Sequence, residues 1–339
     1  MAAPSPRYRR LALSAGIATF LLILVGGLVR VSDSGLGCGP AGSGLQGWPL
    51  CDGDVVPGLE LNTTIEFTHR VLGSIVGLLI LSLAVFAWRR YRAHRGLFRA
   101  TVAAFGLVVA QGLLGAATVE KDLDETLVAA HLGLAMILLA LIIYIWRSSR
   151  PGVIGAQAVD GGPRFRALGA VAQGALFLTI VAGGYMAGTQ NYGRAGYQLG
   201  DGAHHACGKE YPTCNGDLFP FGQARLVDIH LTHRVFMYLA SFLVIALVVL
   251  AVRRRPSPAT VRAAWIALAI LAAQVLVGAL NVWLDEYRAL ILLHLTLATL
   301  LWGHLAALNL SLYRVRSPVG QSAAGDAAVE SREREAVPA

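Results

Sequence analysis

Ile65-Glu66-Phe67-Thr68-His69-Arg70 returns as Ile229-His230-Leu231-Thr232-His233-Arg234, 164 residues further along the chain. His131 in LVAAHLGLA is answered by His294 in LILLHLTLA at an offset of 163, and Ala110-Gln111-Gly112-Leu113-Leu114-Gly115 by Ala273-Gln274-Val275-Leu276-Val277-Gly278. Near the start, Gly26-Gly27 is matched by Gly183-Gly184. The chain is one unit written twice, and each copy carries two histidines about 62 residues apart. The copies differ at one chemically loud position, where Glu66 in the first is His230 in the second.

Around these motifs the chain is greasy. Its mean hydropathy is +0.59 and only 14% of its 339 residues are charged, against about 25% in soluble domains. Runs of the ~20 apolar residues that a bilayer requires occur at Leu11–Val31, Ile65–Trp88, Thr101–Val119, Leu127–Trp146, Ala167–Met186, Ile229–Val252, Ala263–Trp283 and Ala289–Leu312. Only helices and closed barrels satisfy backbone groups in lipid, so the fold class is all-α: a polytopic membrane protein with eight transmembrane helices. The first span is read as retained, because no small-residue cleavage site follows it and its Gly-Gly pair recurs in the fifth.

Four spans per copy is an even number, so the copies share one orientation and are expected as two parallel-repeat four-helix bundles. The expected domains are an N-terminal bundle over 1–146, a cytoplasmic linker over 147–166, a C-terminal bundle over 167–313 and a disordered cytoplasmic tail over 314–339. Arginines cluster at 7, 9 and 10, at 89–99, at 147–166, at 253–262 and at 314–316, after every second span. The positive-inside rule then puts both termini in the cytoplasm. These clusters lack interleaved aromatics, which excludes a nucleic-acid partner as the reason for the net charge of +8. The partner they imply is the lipid bilayer.

All four cysteines fall in loops assigned to the outer face, where disulfides persist. Cys38 with Cys51 and Cys207 with Cys214 is the simplest of three connectivities. Each pair reads first as a structural staple. A dithiol relay at Cys38 and Cys51 is the sharper alternative, and the spacing does not decide between them.

The topology places His69, His131, His233 and His294 at similar depth near the outer face. A lone intramembrane histidine is ordinarily a core residue bonded to a carbonyl, but four at repeat-matched positions point to function. Paired neutral imidazoles from opposing helices suit a six-coordinate heme iron, whereas zinc wants four ligands or three plus water. Arg70 and Arg234 follow the first histidines, and Arg30 and Arg288 end spans 1 and 8. Their guanidinium forks can pair with heme propionates, the ordinary reading being snorkelling to the interface. Glu66 lies one helical turn from His69, on the same face, and a carboxyl there can exchange protons. His230 is either a further electron- or proton-handling group or a hydrogen-bond partner. Gln111 and Gln274 read as interhelical hydrogen-bonding groups. His304, deeper and turned away from His294, is expected to stand apart, and the loop residues His94, His204 and His205 carry no special signal.

With E-x-x-H-R opening span 2, H-x-x-H-R opening span 6, histidines in spans 4 and 8 and cysteine pairs after spans 1 and 5, the chain resembles the heme A synthase family over about residues 8–315. Its first cysteine pair is more widely spaced than in bacterial members of that family. The resemblance implies an oxidoreductase that converts the C8 methyl of heme O to a formyl group, giving heme A for cytochrome oxidase. It implies substrate heme held through His69 and His131 with Glu66 as the catalytic carboxylate, and a resident heme b held through His233 and His294. It further implies a heme O synthase and an electron carrier as partners. A non-enzymatic diheme b-type cytochrome is the alternative, although four histidines near one face suit transmembrane electron transfer poorly.

Overall fold

The computed structural model describes residues 4–150, 162–189, 202–254, 257–284 and 288–312. Within them the chain forms eight long helices: α1 (Pro6–Val31), α2 (Leu61–Arg90), α3 (Arg95–Glu120), α4 (Glu125–Ser148), α5 (Gly162–Gly188), α6 (Arg225–Arg254), α7 (Pro258–Trp283) and α8 (Arg288–Leu312). All eight are long and apolar enough to cross a membrane. The shortest, α4, has 24 residues and measures about 36 Å at 1.5 Å per residue, more than the roughly 30 Å of hydrocarbon it must span.

Each helix contains its expected apolar run and overruns it; α2 starts at Leu61 rather than Ile65, and α7 at Pro258 rather than Ala263. Hydropathy marks where the chain is greasy, whereas capping decides where the backbone stops. Asp124 accepts from the amides of Thr126 and Leu127 at 2.9 and 3.1 Å. Ser257, just ahead of Pro258, accepts from the Thr260 amide at 3.1 Å. Both caps satisfy amides that a helix start leaves without partners.

The helices close into two rings. α1 packs on α2 and α4, and α3 on α2 and α4; α5 packs on α6 and α8, and α7 on α6 and α8. α4 then lies against α5 and α8, and α1 against α8. The Trp302 indole of α8 donates to the Met136 carbonyl of α4 at 2.7 Å. Arg30 near the end of α1 donates to the Ala187 carbonyl near the end of α5, at 2.7 Å from Nη2, so α1 and α5 finish on the same side. The glycine pairs sort the contacts: Gly27 lies against Leu292 and Leu295 of α8, and Gly184 against Ala129 and Leu132 of α4. Each second glycine thus lets its helix approach the other ring.

The dry cores sit at one end. Tyr8, Ile80, Leu83, Ile142 and Ile145 are fully buried in the first ring, and Phe165, Leu247, Leu301, Leu305 and Leu312 in the second, all toward the arginine clusters. At the opposite end the buried side chains include Glu66, His230 and Arg234. There Cys38 is bonded to Cys51 and Cys207 to Cys214, with Cα–Cα distances of 4.3 and 4.6 Å. The expected linker over 147–166 falls partly, and the expected tail over 314–339 wholly, outside the described residues; the described parts of the linker end α4 and begin α5.

Candidate functional site

Each of the four matched histidines leans on a glycine of the preceding helix. A β-carbon at Gly26 would stand 3.2 Å from Nε2 of His69, and at Gly115, Gly183 and Gly278 it would stand 3.3, 3.0 and 2.9 Å from Cε1 of His131, His233 and His294. Packing this tight admits hydrogen and little else, so these glycines are the floors on which the imidazoles rest. Gly26 and Gly183 are the first members of the Gly-Gly pairs; one glycine seats a histidine and the next seats the other ring.

His69 and His131 come from α2 and α4, diagonal in the first ring, and lie within electrostatic reach of one another. His233 and His294 repeat the arrangement on α6 and α8. The four rings are half-buried. His233 Nδ1 lies 3.0 Å from the Thr179 carbonyl; a carbonyl only accepts, so Nδ1 carries the proton and Nε2 keeps the lone pair. The Gln111 amide donates to the His131 carbonyl at 3.0 Å, while the Gln274 amide lies 3.2 Å from Nε2 of His294 itself. Nδ1 of His131 and of His294 is buried with no hydrogen-bond partner.

The mismatched position reaches the loop above in both copies, with opposite polarity. Oε2 of Glu66 accepts from the Cys38 amide at 2.9 Å, whereas Nδ1 of His230 donates to the Ala203 carbonyl at 2.8 Å. Both side chains are 3% exposed, and an unpaired polar group there would be costly. The glutamate meets an amide donor and the histidine meets a carbonyl acceptor.

The arginines next to the first histidines do the same work twice. Arg70 grips Oε1 of Glu66 through Nε and Nη2 and gives Nη1 to the carbonyls of Gly47 and Leu50, at 2.5 and 2.8 Å. Arg234 donates to the carbonyls of Glu210 and Thr213, both at 2.8 Å, and its Cζ lies 5.5 Å from the centre of the Tyr211 ring. Gly47 with Glu210, and Leu50 with Thr213, are repeat equivalents at an offset of 163. These loops carry a second written repeat, Trp48-Pro49-Leu50-Cys51-Asp52-Gly53-Asp54 against Tyr211-Pro212-Thr213-Cys214-Asn215-Gly216-Asp217, and each closes with a bridge from its cysteine to its last aspartate. Arg70 through Nη1, and Arg234 through Nη1 and Nη2, therefore fasten the disulfide loops to α2 and α6. Arg30 binds the end of α5, and Arg288 is exposed with Asp33 nearby.

His204 is the residue that sequence reasoning missed. It lies among His230, His233 and Arg30, and burial first, then those neighbours, hold its imidazole well below the usual histidine range. Nothing in a loop sequence tells which loop histidine folds back onto a helix. His304 stands apart as expected, bonded to the Ala263 carbonyl of α7 at 2.7 Å.

The chemistry open to this donor set is narrow. Among the described residues no three His, Cys, Asp or Glu side chains gather to hold a bare metal ion. Paired imidazoles on diagonal helices, two of them with partnerless buried nitrogens, fit the axial ligation of a heme in each ring.

The family described as cytochrome oxidase assembly protein matches residues 9–306. A heme A synthase of Symbiobacterium thermophilum is 32% identical over 313 residues, covering 88% of this chain and 94% of the relative. Heme A synthases of Alkalihalophilus pseudofirmus and Geobacillus kaustophilus are 27% and 28% identical, covering 88% and 93% of this chain and 95% and 96% of the relatives. The family match runs from the first turn of α1 to within two turns of the end of α8, taking in both rings and both disulfide loops, and the chain belongs to the cytochrome oxidase assembly protein family.

Proposed function

We propose that this chain is a heme A synthase, a membrane oxidoreductase that converts heme O to heme A by oxidising the C8 methyl to a formyl group. The observation that carries this reading is the exchange of Glu66 for His230 within the repeat. Two rings hold equivalent histidine pairs, and among the described residues only one adds a buried carboxylate, Glu66, one turn from its histidine. His69 and His131 hold the iron of the substrate in the N-terminal ring. Oxidation of a methyl requires proton exchange near the reacting carbon, and Glu66 is the group suited to it, kept in place by Arg70 and the Cys38 amide.

In the C-terminal ring His233 and His294 are the ligands for a resident heme b, which when bound supplies a one-electron redox centre. His233 presents Nε2 because its Nδ1 is committed to Thr179. His230 closes the second loop over that site rather than exchanging protons. Arg288, Arg30, Arg70 and Arg234 are the groups proposed for the propionates. The chain sits in the cell membrane with both termini and the arginine clusters on the cytoplasmic side, the four histidines lie toward the outer face, and residues 1–146 and 167–313 form the substrate and cofactor units. A heme O synthase delivers the substrate and an electron carrier serves the reaction.

A non-enzymatic diheme cytochrome would need no carboxylate in either ring. Conversion of Glu66→Gln is expected to leave heme binding intact and to lower heme A formation at least a hundredfold, as read by pigment extraction. Normal heme A formation by that variant would remove Glu66 from the chemistry.

A further inference from the structure

At the end of the protein away from the histidines, Arg9, Arg10 and Leu13 of α1 meet Trp146 and Arg150 of α4 around a cleft of about 370 Å³, within the range that holds small ligands. The three guanidiniums crowd one place without compensation: none takes part in a side-chain hydrogen bond or ion pair with a described residue. Arg150 instead lies over the Trp146 ring, its Cζ 5.0 Å from the ring centre. A guanidinium held over an aromatic face keeps N–H groups available to an anion. Three cations with no partner among the described residues repel one another, and a polar anion between them relieves the repulsion.

The cleft also has a direction. Leu13 on its rim is followed one and two turns along α1 by Ile17 and Leu21, and the three are 43%, 53% and 50% exposed. They form an apolar track running from the guanidiniums toward the middle of the membrane. Trp146 stands where tryptophans mark the water–lipid boundary. A charged head beside an apolar track is the outline of an anionic phospholipid. We propose that this cleft binds such a lipid, its phosphodiester among Arg9, Arg10 and Arg150 and an acyl chain along Leu13, Ile17 and Leu21. Fork-shaped guanidiniums suit phosphate oxygens, and basic pockets between helices at a membrane face recognise acidic headgroups. The site is remote from both histidine pairs, so it stands or falls independently of the catalytic reading.

The test uses the full chain in detergent, with bound lipid read by native mass spectrometry and by the thermal midpoint. The probes are dioleoylphosphatidylglycerol, dioleoylphosphatidylcholine with the same chains, and inorganic phosphate. The wild type is expected to retain phosphatidylglycerol and to be protected by it, and not by the other two. At about fivefold per arginine, the triple variant Arg9→Gln, Arg10→Gln, Arg150→Gln should bind on the order of a hundredfold more weakly. The single variant Arg150→Gln, an exposed change compatible with folding, should bind about fivefold more weakly. Arg89→Gln, Arg90→Gln, Arg92→Gln removes equal charge at the same end, from residues outside the cleft lining, and should bind normally. Undiminished retention by Arg150→Gln and the triple variant overturns the site. Equal loss in the control variant reduces it to general surface charge. Equal protection by inorganic phosphate makes it a free-anion site, and equal retention of phosphatidylcholine removes the role of charge; either contradicts the proposal.

Discussion

Glu66 and His230 occupy one helix position and face loops of opposite polarity, so neither can be exchanged for the other without breaking a buried hydrogen bond. His230→Glu would set a carboxylate against the Ala203 carbonyl, two acceptors with no proton between them. It should cost roughly 2–4 kcal/mol, read as a lowered thermal midpoint, whereas His230→Gln, which still donates, should stay within about 1 kcal/mol. The glycine floors are as exacting. Gly278→Ala would bring a methyl to within 2.9 Å of the resting position of His294 Cε1 and must displace the ring by a few tenths of an ångström. If His294 holds a heme as proposed, the absorption spectrum and midpoint potential of that variant should shift, and an unaltered spectrum and potential would count against that role.

The two disulfide loops are the elements fastened over the matched helices. Arg70 and Arg234 bind the same pair of backbone carbonyls in each copy, and each disulfide lies directly beside that clamp. The second disulfide closes a loop with a sequence separation of 7, for which chain entropy gives on the order of 2–3 kcal/mol. Paired Cys207→Ser and Cys214→Ser substitutions should therefore lower stability by about that amount and speed proteolysis between α5 and α6. Much of this was legible in the chain. Eight apolar runs gave the helices, and the hexapeptide gave the histidines. The clamp is not legible in the hexapeptide, because an arginine after a histidine names no partner; its trace is the repeat of WPLCDGD in YPTCNGD around the cysteines. The helix ends escaped because Asp124 and Ser257 act through capping rather than hydropathy. His204 escaped because its neighbours are set by the folding of a loop.

As a whole the molecule is two similar rings joined along α1, α4, α5 and α8, each packed tight at the arginine end and carrying its matched histidines toward the disulfide end. On the proposed reading, duplication supplies two heme-type sites, and the change from Glu66 to His230 divides the labour between them. On that account His233→Ala or His294→Ala should abolish the resident low-spin heme, while His69→Ala should leave it and lose substrate turnover, as absorption spectra of purified variants would show. The most direct measurement of the division is pigment extraction after the full chain, or its Glu66→Gln variant, is expressed together with a heme O synthase. The account predicts heme A from the wild type, and from the variant only heme O alongside an undiminished heme b. Heme A from the variant at the wild-type level, or none from the wild type when heme O is plentiful, would contradict it.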